Sequence, residues 1–167
     1  MKLPFRLLML TALFGLIGCE KQGSNPGVET YINQLKSNSY QASELPAFKP
    51  SDIPALLEHR NSTMVITNFP HNGISSLWGP ECKLGMFVLW TIESIRAVEI
   101  NSKYLIGRFP SQNPILALRA SQELDLVYDT KSQNEAAKAY YDWWHSSYAL
   151  NDKMNIDPLK DTDYRWH

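Results

Sequence analysis

Lys83-Leu84-Gly85-Met86-Phe87-Val88-Leu89-Trp90-Thr91-Ile92-Glu93-Ser94-Ile95-Arg96-Ala97-Val98-Glu99-Ile100 is the stretch on which the fold turns. Leu84, Val88, Ile92, Ile95 and Val98 recur at helical spacing and mark one face. Phe87, Leu89 and Trp90 make much of the remaining circumference apolar as well. A helix that is apolar nearly all round has to be covered on every side, so the segment reads as a central, buried helix. Glu93 and Arg96 stand three residues apart within it and would meet on its surface. A carboxylate at such depth must be paired or shifted in pKa. The pair therefore reads as a structural ion pair that fixes neighbouring backbone, with a catalytic acid or a ligand contact as the other reading.

Outward from this helix, Val28, Tyr31, Ile32 and Leu35 predict a helix over Pro26 to Lys36. Ser51-Asp52-Ile53-Pro54 opens another: Ser51 suits a cap, Asp52 suits the positive end of the dipole, and Pro54 is tolerated in a first turn. Met64-Val65-Ile66-Thr67 is β-branched and short, and reads equally as a strand or an extended connector. Residues 69 to 80 are rich in turn residues. Further helices are expected over Pro114 to Val127 and Glu135 to Tyr148. The tail, Asn151 to His167, reads as irregular, with Trp166 pinning its end. Phe48-Lys49-Pro50-Ser51-Asp52-Ile53-Pro54 echoes Phe109-Pro110-Ser111-Gln112-Asn113-Pro114. The echo fits either two capped helix starts or stacked helical hairpins. The fold expected is all-α, a compact bundle of helical hairpins with HEAT-like character, in a single domain over residues 28–167.

The N-terminus speaks of location. Lys2 and Arg6 precede an apolar run from Leu7 to Ile17 that is too short to span a bilayer, as in a secretory signal. It ends in Leu16-Ile17-Gly18-Cys19, which resembles the lipobox of bacterial lipoproteins. The resemblance implies that residues 1–18 are removed, that Cys19 becomes the first residue, and that it carries acyl chains such as palmitate. Several chains hold a protein firmly on a membrane where one does not. Residues 19–27 then read as a polar, lipidated tether. Glu20 stands where an aspartate retains some lipoproteins at the inner membrane, so the resemblance favours the outer membrane. Cys82 is left alone, without an intramolecular disulfide partner, and reads as a small buried residue.

Formal charge is −1, and loss of Lys2 and Arg6 with the signal makes it −3. No basic stripe stands out, so nucleic acid is not an expected partner. His59, His71, His145 and His167 fall in no metal-ligand spacing, and neither a metal nor a cofactor is expected. Asp142 and His145, three apart on one helix, would serve a small hydrolase as orienter and base, with Ser75 or Ser76 as nucleophile. No G-x-S-x-G elbow accompanies them, and no catalytic residue is assigned. Tyr140-Tyr141, Trp143-Trp144 and Tyr148 crowd one helix. Core packing takes most of them; those left outside, Tyr141, Trp143 and Trp144 with Trp78, would form a binding surface for a protein or a glycan.

The runs Ile53-Pro54-Ala55-Leu56-Leu57-Glu58-His59-Arg60, Ile66-Thr67-Asn68-Phe69-Pro70 and Leu84-Gly85-Met86 through Arg96 resemble a family of small uncharacterised lipoproteins of Gram-negative bacteria. That resemblance implies a helical domain of unknown function on a lipid anchor, and it carries over no catalytic residues. The expected role is a lipid-anchored envelope module that binds a protein or glycan, with the Asp142/His145 hydrolase as the alternative.

Overall fold

A computed structural model describes residues 26–75, 79–121 and 123–167. Cys19, Ser76 and Trp78 lie outside the described residues. The chain runs through α1 (Pro26–Lys36), a 3-10 turn at Pro50–Asp52, α2 (Ile53–Leu57), β1 (Val65–Ile66), β2 (Cys82–Lys83), α3 (Leu84–Glu99), β3 (Leu116–Leu118), β4 (Leu126–Val127), α4 (Thr130–His145), α5 (Leu150–Asn155) and β5 (Tyr164–Trp166). Strands β1 and β2 form an antiparallel pair; a second antiparallel sheet has the order β4-β3-β5.

Helix α3 is the axis, and every residue from Leu84 to Arg96 is buried. Its side chains reach outward in all directions. Tyr31 of α1 lies 3.0 Å from Thr91 Oγ1; because Thr91 donates its own hydroxyl proton to the Phe87 carbonyl, Tyr31 is the donor between the two helices. The Trp90 indole donates to the Gln112 carbonyl at 2.9 Å and Ser94 donates to the Arg108 carbonyl, which fastens the 108–112 loop to the helix. The largest fully buried side chains include Trp90, Tyr140, Phe87 and Ile32, and each such apolar body stabilises the fold by roughly 1.5–3 kcal/mol.

Several features differ from the sequence-based expectation. The domain is not an all-α bundle of HEAT-like hairpins but a mixed α/β fold with two small antiparallel sheets. The segment expected as a helix over Pro114 to Val127 is the hairpin β3–β4, with Leu116 opposite Val127 and Ala117 opposite Leu126. The echo at Pro110 consequently leads into a strand, whereas its counterpart at Pro50 opens α2. The tail is not irregular: it forms α5 and then β5, which pairs with β3 so that Leu116 faces Trp166 and Leu118 faces Tyr164. Arg119 holds this return in place, donating to the carbonyls of Leu159 and Tyr164 at 2.9 and 2.8 Å. Helix α1, by contrast, covers Pro26–Lys36 as its spacing predicted.

A buried polar bridge joins three elements. Arg96 Nη1 donates to both carboxylate oxygens of Glu93, at 2.8 and 2.6 Å. Tyr140 of α4 donates its hydroxyl to Glu93 Oε1, and Trp166 of β5 donates its indole N–H to Tyr140 at 2.8 Å. Burial works against the Arg96 charge; the Glu93 carboxylate outweighs it, with Tyr140 and Asp157 adding, and holds the guanidinium pKa above its usual value. Burial, together with the negative charge of Glu93, pushes the Tyr140 phenol well above its ordinary pKa. The phenol is therefore held protonated, as a donor to the Glu93 carboxylate.

Candidate functional site

A cleft of about 560 Å³ opens beside the N-terminal half of α3. That volume is in the range of small-molecule sites. Strand β1 and the 69–75 segment form one wall, β3 and the end of β4 another, and the first turn of α4 closes one end. Met86 and Trp90 line it from α3, with Phe69, Leu116 and Val127 adding to an apolar interior. Val65 and Tyr128 stand at its margin and are exposed.

The polar end is built by a short chain of local causes. Asp129 caps α4, its carboxylate accepting the Ser132 backbone N–H at 2.9 Å; these bonds hold its pKa below the usual carboxylate value. The cap fixes the first turn, which places Ser132 and Gln133 on the cleft side, both 1% exposed. Gln133 Nε2 donates to the Ser62 carbonyl at 2.9 Å, and the Gly85 backbone N–H donates to that same oxygen at 2.9 Å. Gly85 permits this approach. A Cβ there would lie 2.4 Å from the Arg60 carbonyl oxygen, 2.7 Å from Gln133 Nε2 and 2.9 Å from the Ser62 oxygen. Since Ser62 presents an acceptor, the amide of Gln133 must turn its NH₂ toward it. The other end, Oε1, is buried and without a hydrogen-bond partner among the described residues. A buried acceptor left in this way costs about 1–3 kcal/mol, so it is not a neutral detail.

Two further groups border the cleft. Cys82 donates its thiol to the Lys83 carbonyl at 3.4 Å and to the Pro114 carbonyl at 3.8 Å. Burial pushes this thiol up to about 12, so it is an inert thiol near neutrality, not a nucleophile. Across the cleft, Ser75 donates to Asn113 Oδ1 at 2.6 Å, and Asn113 Nδ2 lies 3.0 Å from His167 Nδ1.

The residues singled out from sequence fall in several places. Asp142 is paired with Lys138 Nζ on its own helix at 2.5 Å. His145 Nδ1 sits on the Tyr141 carbonyl and its ring stacks on Tyr141. No hydrogen bond joins Asp142 to His145, and Ser75 lies in the cleft away from both. Trp143 is buried at 6% exposure, its indole donating to the Lys153 carbonyl. Trp144 is half-buried beneath the Lys153 ammonium. Of the aromatic face, Tyr141 and Tyr148 remain exposed, and the Arg60 guanidinium lies over Tyr141. The structure thus gathers no exposed tryptophan surface on α4. Glu93 and Arg96 form the buried pair described above. What sequence reasoning missed is the Asp129–Ser132–Gln133 turn. Its available signal was Asp129-Thr130-Lys131-Ser132, a cap pattern at a helix start, together with a glycine in the first turn of an otherwise apolar helix, which marks close approach.

A family model described as a domain of unknown function (DUF4943) matches residues 22–167. The chain belongs to this family. No curated protein matches it, and no solved structure does. The DUF4943 match takes in every described element from α1 to β5, including the cleft and the Glu93 bridge. No helix among the described residues is long and apolar enough to cross a membrane.

Proposed function

We propose that this DUF4943 chain is a lipid-anchored cell-envelope protein, held at the outer membrane through Cys19, whose domain is a non-enzymatic binding module working through the cleft. The anchor half rests on the run ending Leu16-Ile17-Gly18-Cys19. The binding half rests on one observation above all: a concave, mainly apolar cleft of about 560 Å³ beside α3, lined by Phe69, Met86, Trp90, Leu116 and Val127. Concave apolar sites with a few fixed polar groups are the usual form of a small-ligand site. The cleft supports this reading better than the aromatic face of α4 does, because Trp143 is sunk in the core. The hydrolase alternative has no such support. Its base and orienter are held by Tyr141 and Lys138, and the hydroxyl of Ser75 points to an amide oxygen.

Metabolic labelling with an alkyne fatty acid tests the anchor. The wild-type chain is expected to take up label and Cys19→Ala to lose it entirely; a Cys19→Ala chain that labels as well as wild type contradicts the anchor. Val65→Trp, placed on an exposed residue at the cleft margin, fills the mouth and tests the binding half without touching the core.

A further inference from the structure

The apolar lining of the cleft does not stop at its mouth. Val65 and Tyr128, both lining residues, are 49% and 64% exposed, and Ile74, between the lining residues Asn72 and Ser75, is 74% exposed. Met64, next to Val65 in the chain, is exposed as well. Scattered singly, such side chains would mean little; set round one opening, they mark an interaction surface. Lys83 completes the lip. It stands opposite Val65 in the β1–β2 pair, so the two side chains share a face. Its ammonium reaches the Tyr128 carbonyl at 2.9 Å. Tyrosine and lysine each carry an apolar body with a polar tip, which suits the boundary between water and lipid. Charge in the lining has both signs, Lys83 against Glu81 and Asp129, and singles out no soluble ion.

The anchor limits how far the domain stands from the bilayer. Residues 20–25 separate Cys19 from the start of α1 at Pro26. Fully extended, that stretch spans at most about 25 Å. The first turn of α1 lies on the β1 side of the domain: His59 Nε2 is 3.3 Å from Glu29 Oε1. From His59 to Val65 the backbone covers at most about 20 Å, and the Ser62 N–H, donating to the His59 carbonyl, turns it and shortens the path. The mouth of the cleft therefore lies within reach of the surface that would hold Cys19.

On the strength of the anchor and the binding module proposed above, we infer that the cleft takes one acyl chain of a membrane phospholipid, drawn in across the lip of Val65, Ile74 and Tyr128 while the head group stays outside. The chain lies along Phe69, Met86, Trp90 and Leu116, the apolar lining of the cleft. A chain that moves from bilayer to cleft exchanges one apolar surrounding for another, and the cleft wall gives up its contact with water.

The full acylated chain, labelled at its methionine methyl groups, is placed in phosphatidylcholine nanodiscs that carry a lipid with a nitroxide at the end of one acyl chain. The methionines beyond Cys19 report from three places: Met64 at the lip, Met86 in the cleft and Met154 buried in α5, off the cleft. Met64→Leu, Met86→Leu and Met154→Leu assign them. The Met86 resonance is expected to be broadened away and the Met154 resonance kept, and reducing the nitroxide restores Met86. Val65→Trp, which fills the mouth, is expected to keep the Met86 signal while Met64 stays broadened, since the lip still meets the bilayer; an unshifted Met154 shows that the variant is folded. A Met64 signal lost with Met86 intact in the wild type means that the domain lies on the bilayer without taking a chain, and overturns the inference. Loss of Met86 to the same extent in Val65→Trp, or loss of Met154 alongside it, overturns it too. Indole, a soluble apolar probe, separates these failures from failure of the binding reading. A Met86 methyl untouched by the labelled lipid but shifted by indole overturns the acyl chain and leaves the cleft a binding site; one untouched by both overturns the acyl chain and counts against the binding reading itself.

Discussion

Replacing Glu93 by alanine is expected to destabilise the domain by about 3–5 kcal/mol, the usual cost of removing one partner of a buried ion pair. In a domain of this size that corresponds to a fall in Tm on the order of 10 °C. The size of the effect comes from what is left behind rather than from the loss of the pair itself. Arg96 is 7% exposed, so its guanidinium would keep its charge in the core without a counterion. The Tyr140 hydroxyl would lose its acceptor while still receiving the Trp166 indole N–H. Because that bridge ties α3 to α4 and to β5, the tail strand should loosen along with the helix contact. Glu93→Gln keeps an acceptor for Tyr140 and is expected to cost less. A Glu93→Ala/Arg96→Ala double variant removes the stranded charge and is expected to fall short of the sum of its singles. Thermal and denaturant unfolding of wild type, Glu93→Ala, Glu93→Gln, Arg96→Ala and the double variant measure this; a Glu93→Ala domain within about 1 kcal/mol of wild type would show that the bridge is not holding the core together.

Gly85→Ala is the second large effect, and here two terms oppose each other. An alanine inside a helix gains roughly 0.5–1 kcal/mol over glycine from backbone entropy and propensity. Against this, the new methyl would sit 2.4 Å from the Arg60 carbonyl oxygen and 2.9 Å from that of Ser62. Both obstacles are backbone, in a loop that also holds the Leu84 N–H through the Met64 carbonyl at 2.8 Å. Overpacking of this kind costs about 1–3 kcal/mol and occasionally more, so the clash outweighs the propensity gain and a net loss of about 2 kcal/mol is expected. The same methyl meets Gln133 Nε2 at 2.7 Å. The side-chain amide protons of Gln133 should therefore exchange faster in the variant. A variant as stable as wild type, with an unchanged Gln133 amide, would mean that the loop can move aside freely.

The helices were legible because each carries its own periodic record. Val28, Tyr31, Ile32 and Leu35 mark α1, and the unbroken apolar run marks α3 as the buried axis. The sheets left no comparable record. Leu116–Leu118 and Leu126–Val127 are too short for a period of two to show, and a short apolar run does not by itself separate a strand from a buried helical turn. What makes Leu116-Ala117-Leu118 a strand is pairing with Tyr164–Trp166, far along the chain. Non-local hydrogen bonds of that kind are invisible to a local pattern, which is why a helix was expected at Pro114–Val127 and an irregular tail after Asn151. The start of α4 shows the same limit: its apolar rhythm begins only at Ala136, while the Asp129 cap sets the helix going at Thr130. The aromatic cluster was visible, yet its disposition depended on α5, whose Lys153 carbonyl takes the Trp143 indole into the core. The cleft was least legible of all. Its walls come from segments scattered between Val65 and Gln133, which no local pattern brings together.

In the proposed function a membrane address and a binding cavity belong to one protein. Native mass spectrometry of the full chain, released intact from its own membranes, tests that connection most directly. The wild-type protein is expected to retain a small-molecule adduct, shed on collisional activation, that is absent from the Val65→Trp protein prepared in the same way. A wild-type spectrum with no adduct beyond the acyl modification, or an adduct that Val65→Trp retains in full, would contradict the cleft as the working site.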